Sequence, residues 1–178
     1  VWAKSLFVLD KLDFFIAADA SMSSFYRNGL YQNGKFPDSS FGKSTVSSFF
    51  NYGVKAGATY KINGRNYLYA NGLYMTRAPY ARNSFISPRT RDELVSNLSS
   101  EEIYGGELGY ELKSPKWNVK ATAYYTAIND QIKVRSFYHD AEASFVNYIL
   151  KGIDEIHTGT EFSAKYKISS SLDVKGVV

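Results

Sequence analysis

The side chains able to do chemistry in this chain are few. There is no cysteine and there are only two histidines, His139 and His157. Without cysteine, thiolate catalysis, Cys-based zinc sites and a disulfide framework are all excluded. The run His139-Asp140-Ala141-Glu142 puts three possible metal ligands within four residues. That pattern suits a divalent cation only if further ligands join it, and it reads equally as a solvated loop. His157 opens a stretch of alternating residues on its polar side, a place for a wall or rim rather than a catalyst. Glu107 and Glu111 stand two pleats apart on one strand face. On paper they form an acid pair; a hydrated wall is the plainer reading. Gly105-Gly106 and Gly109 do not have phosphate-loop spacing, and read as small residues that let neighbours approach a strand. No nucleophile, base and orienting group fall together. The expectation is a protein that is not an enzyme and carries no cofactor.

Arginine and aromatic residues form a second set. Arg77, Tyr80, Arg82, Arg89 and Arg91 lie between 77 and 101, and Tyr26, Arg27, Tyr31 and Phe36 lie in or beside an earlier loop. Arg135, Phe137, Tyr138 and His139 form a third group. Guanidinium groups beside aromatic rings suit an anionic or sugar-like ligand; ordinary loop chemistry is the simpler account of any one residue. Net charge is +4 with both signs spread along the chain, so no basic block suits a nucleic-acid backbone.

The elements that must position these residues are strands, because the dominant pattern has period two. Phe14, Ile16, Ala18, Ala20, Met22, Ser24 and Tyr26 share a face in 14–26. Phe50, Tyr52, Val54, Ala56, Ala58, Tyr60 and Ile62 do so in 50–62. In 67–75 the apolar face reads as Tyr67, Tyr69, Leu73 and Met75, with Asn71 interrupting. Tyr104, Leu108, Tyr110 and Leu112 align next, then Trp117, Val119, Ala121, Ala123, Tyr125 and Ala127. Thr160, Phe162, Ala164, Tyr166 and Ile168 follow, and 1–9 and 172–178 complete about eight strands. Short connections at 10–12, 63–65, 114–116 and 169–170 alternate with long ones at 27–45, 77–101 and 133–154. An up-and-down meander then carries every long loop at one end. Asp92–Asn97 is the one place where a helical turn is expected, inside a loop.

Alternation alone does not say whether the apolar face meets a core or lipid. Strands of ten or eleven residues reach roughly 35 Å, or roughly 25 Å of height when tilted by about 45°, which matches the apolar band of an outer-membrane barrel. Fifteen Tyr and twelve Phe supply most of the aromatic content, and Tyr suits a boundary between apolar and wet phases. Tyr52, Tyr60, Tyr104, Tyr110, Trp117, Tyr125 and Tyr166 recur near strand ends, as lipid-facing or girdle residues do. Glu107, Glu111, Lys120 and Glu161 occupy the opposite face and stay hydrated in a water-filled lumen. The expectation is therefore an all-β, antiparallel up-and-down meander, part of a transmembrane β-barrel.

Several segments resemble TonB-dependent outer-membrane receptors. Asn97-Leu98-Ser99-Ser100-Glu101 followed by Gly106-Glu107-Leu108-Gly109-Tyr110 is similar to the family's "N-L-x-P-E … E-L-G-Y", with Ser100 where the family has Pro. Ala123 to Ile132 resembles its next strand running into "I-x-D-x-I". Gly159-Thr160-Glu161 resembles its "G-x-E" strand start, and Arg77-Ala78-Pro79 its "R-x-P" before a long loop. Order and spacing agree over about residues 45 to 170, and the look is nearest to receptors of the Bacteroidetes group.

The resemblance implies an outer-membrane location in a Gram-negative bacterium, a 22-stranded barrel, a separate plug domain and coupling to TonB. It further implies import of a scarce nutrient such as a metal chelate, a cobalamin or a glycan. On this reading residues 1–178 are a single internal segment of the barrel domain. The alternative is a small eight-stranded outer-membrane barrel with an adhesive or structural role, and a soluble lipocalin-like binder stands third. Eight strands can close on themselves or remain an open sheet with two edges.

Overall fold

The computed structural model describes residues Val1–Val178. The elements are β1 (Trp2–Val8), β2 (Leu12–Phe25), β3 (Asn28–Gly29), β4 (Gly42–Lys43), β5 (Ser47–Lys61) and β6 (Asn66–Arg77). There follow α1 (Ala81–Ser84), β7 (Glu101–Lys113), β8 (Trp117–His139), β9 (Ser144–Lys167) and β10 (Asp173–Val177). Eight strands form one sheet in the order β1-β2-β5-β6-β7-β8-β9-β10, antiparallel throughout, and β3 and β4 pair inside the first long loop. The sheet is open: β1 and β10 each pair on one side only.

Backbone pairing, not a core, holds the chain. Of 104 backbone hydrogen bonds, 82 lie within strands and helix, whereas only 15 of 178 residues are buried. The buried apolar residues are Phe85, Val95, Ala127 and Ile132, and two of these sit in a loop. The expected apolar stripe is open to its surroundings along the sheet: Ile16, Phe50, Val54, Leu108 and Phe162 are all exposed.

The short turns close with side-chain help. Asn63 Oδ1 accepts from the backbone N–H of Arg65 (2.9 Å) and Asn66 (3.0 Å), so Asn63 rather than a positive-φ Gly64 makes the turn. At the next turn Trp117 N–H donates to Ser114 Oγ (3.1 Å), and Ser114 N–H to the Trp117 carbonyl (2.7 Å).

Three expectations need correction. Residues 133–154 are not a long loop. β8 and β9 run on as a paired hairpin to His139↔Ser144, leaving only 140–143 as the tip. A register shift between Ile128 and Lys133, with Asp130 at φ 59 and Gly152 at φ 65, interrupts the alternation there and hides the continuation. The helical turn lies at Ala81–Ser84, while in 92–97 Leu94 bridges Phe85 and Ser96–Asn97 forms a turn with Asn97 at φ 55. In β6 the outward face is Leu68, Ala70, Gly72, Tyr74 and Thr76, not Tyr67, Tyr69, Leu73 and Met75. Both faces of β6 carry large apolar groups, so its own contrast is low. Pairing of Tyr69 with Gly109, and of Asn71 with Glu107, sets its phase.

Candidate functional site

Register sorts the chain into two faces. Residues paired across neighbouring antiparallel strands share a side, so one row reads Phe15, Gly57, Asn71, Glu107, Tyr124, Gly159. A cavity of about 470 Å³ touches this face from Phe15 on β2 to Glu161 on β9, so the sheet curls towards it. We call it the inner face. Glu107, Glu111, Lys120 and Glu161 all lie on it. Tyr52, Tyr60, Tyr104, Tyr110, Trp117, Tyr125 and Tyr166 all lie on the outer one.

The outer face is banded. Towards the loop end, Phe50, Tyr52, Tyr74 and Tyr104 form a ladder with ring centroids 6.4, 5.9 and 5.1 Å apart. Tyr104 Oη donates to Glu102 Oε2 (2.7 Å) and Tyr74 Oη to Glu102 Oε1 (3.3 Å), which turns the polar tips away from the apolar band. Towards the turns, Trp117 packs on Tyr166 at 4.4 Å. Between the bands stand Ala58, Ala70, Leu108, Ala123 and Thr160 in one row. Tyr74 was missed by sequence reasoning because of the reversed phase of β6.

The inner face is polar but low in relief. Asn71 Nδ2 donates to Glu107 (2.6 Å), and Tyr69 shares a hydrogen bond with Thr122 (2.5 Å) while lying under the Lys120 ammonium (4.9 Å). Glu111 pairs with Lys113 at 3.0 Å, so Glu107 and Glu111 have separate partners and do not act as a pair. Side chains lie flat over glycines on the next strand. A Cβ at Gly109 would come within 2.3 Å of Tyr69 Cζ, and one at Gly105 within 3.0 Å of Leu73 Cγ. These glycines admit neighbouring side chains, as their position in the sequence suggested. At the level of the upper aromatic row, Gln131 Nε2 (3.0 Å) and Lys133 Nζ (3.2 Å) both donate to Glu155, and His157 lies 3.3 Å away.

The long loops fold onto each other at one end. Arg27 donates through Nε to the Pro88 carbonyl (2.7 Å) and through Nη1 to the Ser40 carbonyl (2.8 Å). Asp92 N–H reaches the Ser39 carbonyl (2.7 Å). Phe85 stacks edge-on with Phe25 at 6.4 Å, which seats the second loop on the inner face of β2. Asn83 Nδ2 donates to the Ile132 carbonyl (2.9 Å) and Asn147 Nδ2 to the Ile86 carbonyl (2.8 Å), tying that loop to the β8–β9 extension.

A cavity of about 1120 Å³ remains between the two loops and the extension. It gathers Arg82, Arg89 and Arg91 from the group in 77–101, and adds Lys35, which had no signal beyond being a basic loop residue. Phe36 and Phe145 are among its walls. The other candidates are elsewhere. Arg77 is committed to Glu101 (Nη2–Oε2 2.5 Å) and stacks on Tyr80 at 5.3 Å. Arg135, paired with Tyr148, is not among the lining residues, and Tyr138 packs at 5.5 Å on the wall residue Phe145 without lining the space itself. Arg27 holds the loops together rather than offering its charge to a ligand. His139 sits at the hairpin tip, its Nδ1 accepting from Glu142 N–H at 3.3 Å.

The fold is shared with a known transporter. A solved structure of the copper transporter OprC superposes on 98% of this chain with a TM-score of 0.73 at 13% identity. The chain spans 26% of that protein's length. At this identity the likeness speaks for the fold. No family model matches the chain, and no curated protein matches it in sequence.

Proposed function

We propose that this chain forms barrel wall and external loops of an outer-membrane transporter of the TonB-dependent receptor kind. The observation that carries the reading is the banded outer face. Large apolar side chains stand exposed between two aromatic rows, while the inner face is charged and hydrogen-bonded. In water such a face is an unsatisfied surface; in a bilayer it is solvated by acyl chains. The OprC-like fold supports a role in transport, and the motif resemblance supports a plug, TonB coupling and a small nutrient or glycan as cargo. The loops, tied together around the larger cavity, are the surface for first capture. An open sheet with two unpaired edges lends nothing to a closed eight-stranded adhesin.

Fractionation and protease shaving of intact cells producing the protein test this reading. Recovery in outer membranes, with cleavage from outside in 78–100 or 140–143 and protection of the 62–65 and 114–116 turns, is expected. A protein that stays monomeric in buffer without detergent and ignores bilayers overturns it.

A further inference from the structure

The cavity at the loop end is chemically unlike the rest of the chain. Five of the cations elsewhere pair locally: Lys61 with Asp13, Arg77 with Glu101, Lys113 with Glu111, Lys133 with Glu155, Lys165 with Asp173. Here Lys35, Arg82, Arg89 and Arg91 line one space of about 1120 Å³ with no carboxylate among its walls. Only Arg91 has an acidic partner, Glu93 at 3.0 Å. Its Nε is buried without a hydrogen-bond partner while the guanidinium lies 4.7 Å over the Phe36 ring. Bringing like charges together raises the energy of the folded loops unless an anion joins them. The cluster is also built rather than incidental. Lys35 and the arginines come from separate loops, joined by the Arg27–Pro88, Asp92–Ser39 and Asn147–Ile86 hydrogen bonds.

We infer that this cavity binds a multiply charged oxyanion, its phosphate or carboxylate groups held by Arg82, Arg89 and Lys35, with Arg91 completing the cluster against Phe36. The forked guanidinium donors match such groups two bonds at a time. The space exceeds what a lone phosphate needs, so the ligand carries several anionic groups or a larger body bearing them. The inference deepens the capture role proposed above and rests on these loops facing the exterior. Two sources offer this chemistry: a soluble polyanion, or the phosphates of lipopolysaccharide in the surrounding leaflet.

The test is calorimetric titration of the detergent-purified protein with tripolyphosphate, citrate and neutral maltohexaose at low and high salt. Saturable binding of the anions but not of the neutral sugar, weakened by salt, is expected. Arg82→Gln with Arg89→Gln should weaken binding by about tenfold or more, and so should Arg89→Glu alone on its exposed loop. Arg135→Gln, outside the cavity, should leave binding as it was. Displacement of tripolyphosphate by added lipopolysaccharide assigns the site to membrane lipid phosphate; no displacement assigns it to a soluble anion, and the inference stands in both cases. Absence of saturable anion binding to the unaltered protein at low salt overturns it, as does equal binding by the folded variants. Such a failure leaves the membrane reading intact, since fractionation decides that separately.

Discussion

Leu108 is the position at which lipid and water give the most different answers. It lies on the outer face of β7, 62% exposed, with Ala70 and Ala123 as its register partners. Tyr104 stands four positions above it and Leu112 four positions below. That is about 13 Å of strand each way, or about 9 Å of height at a tilt of about 45°. Leu108→Arg therefore places a guanidinium near the middle of the proposed apolar band, beside two alanines that offer it no partner. At a bilayer midplane the cost is about 2–4 kcal/mol, or about 30- to 1000-fold in the folding equilibrium. On a face bathed in water the same exposed change falls within about 0.5 kcal/mol. The assay is folding of the protein into lipid vesicles, titrated with guanidinium and extrapolated to zero denaturant. Glu161→Lys on the inner face serves as the reference and should shift stability by about 0.5 kcal/mol or less. If Leu108→Arg folds as stably as the parent, the outer face is wet and the reasoning fails.

Three further outcomes follow from the geometry. Gly109→Ala forces the Tyr69 ring off the wall and breaks its bond to the buried Thr122. It should cost about 1–3 kcal/mol, and Tyr69→Ala in the same chain should remove the clash, so that thermal midpoints are non-additive. Arg77→Met strands the Glu101 carboxylate, whose side chain is 3% exposed. After allowance for the partly exposed arginine, a loss of about 1–3 kcal/mol is expected, largely recovered by Glu101→Leu, with anion binding unchanged. A denaturation curve unaffected by Arg77→Met would refute the pairing. Gly152→Ala puts a side chain at φ 65 and should cost about 1–2 kcal/mol locally. It should speed hydrogen exchange across 144–152; unchanged protection there would mean that the bulge does not anchor the extension.

Much of this protein is legible one residue at a time. Period-two alternation in β2, β5, β7 and the first half of β8 places Tyr52, Tyr60, Tyr104, Tyr110, Trp117 and Tyr125 on one face. It places Glu107, Glu111 and Lys120 on the other, because a strand has only two sides. Hairpin connections did the same for topology: each short turn leaves the chain no choice but an antiparallel neighbour. What the sequence could not settle depends on contacts between strands and loops. β6 is apolar on both faces, so only its partners Gly109 and Glu107 decide which way Tyr74 points. The hairpin from Lys133 to Asp154 breaks period two at a bulge, so its pairing is invisible to alternation. Arg77, Arg82, Arg89 and Arg91 look alike within 77–101. Yet Arg77 is spent on Glu101, while the other three share a cavity with Lys35. Composition and spacing set each residue's charge and side of the strand; only the folding of one loop onto another determined which charges share one cavity.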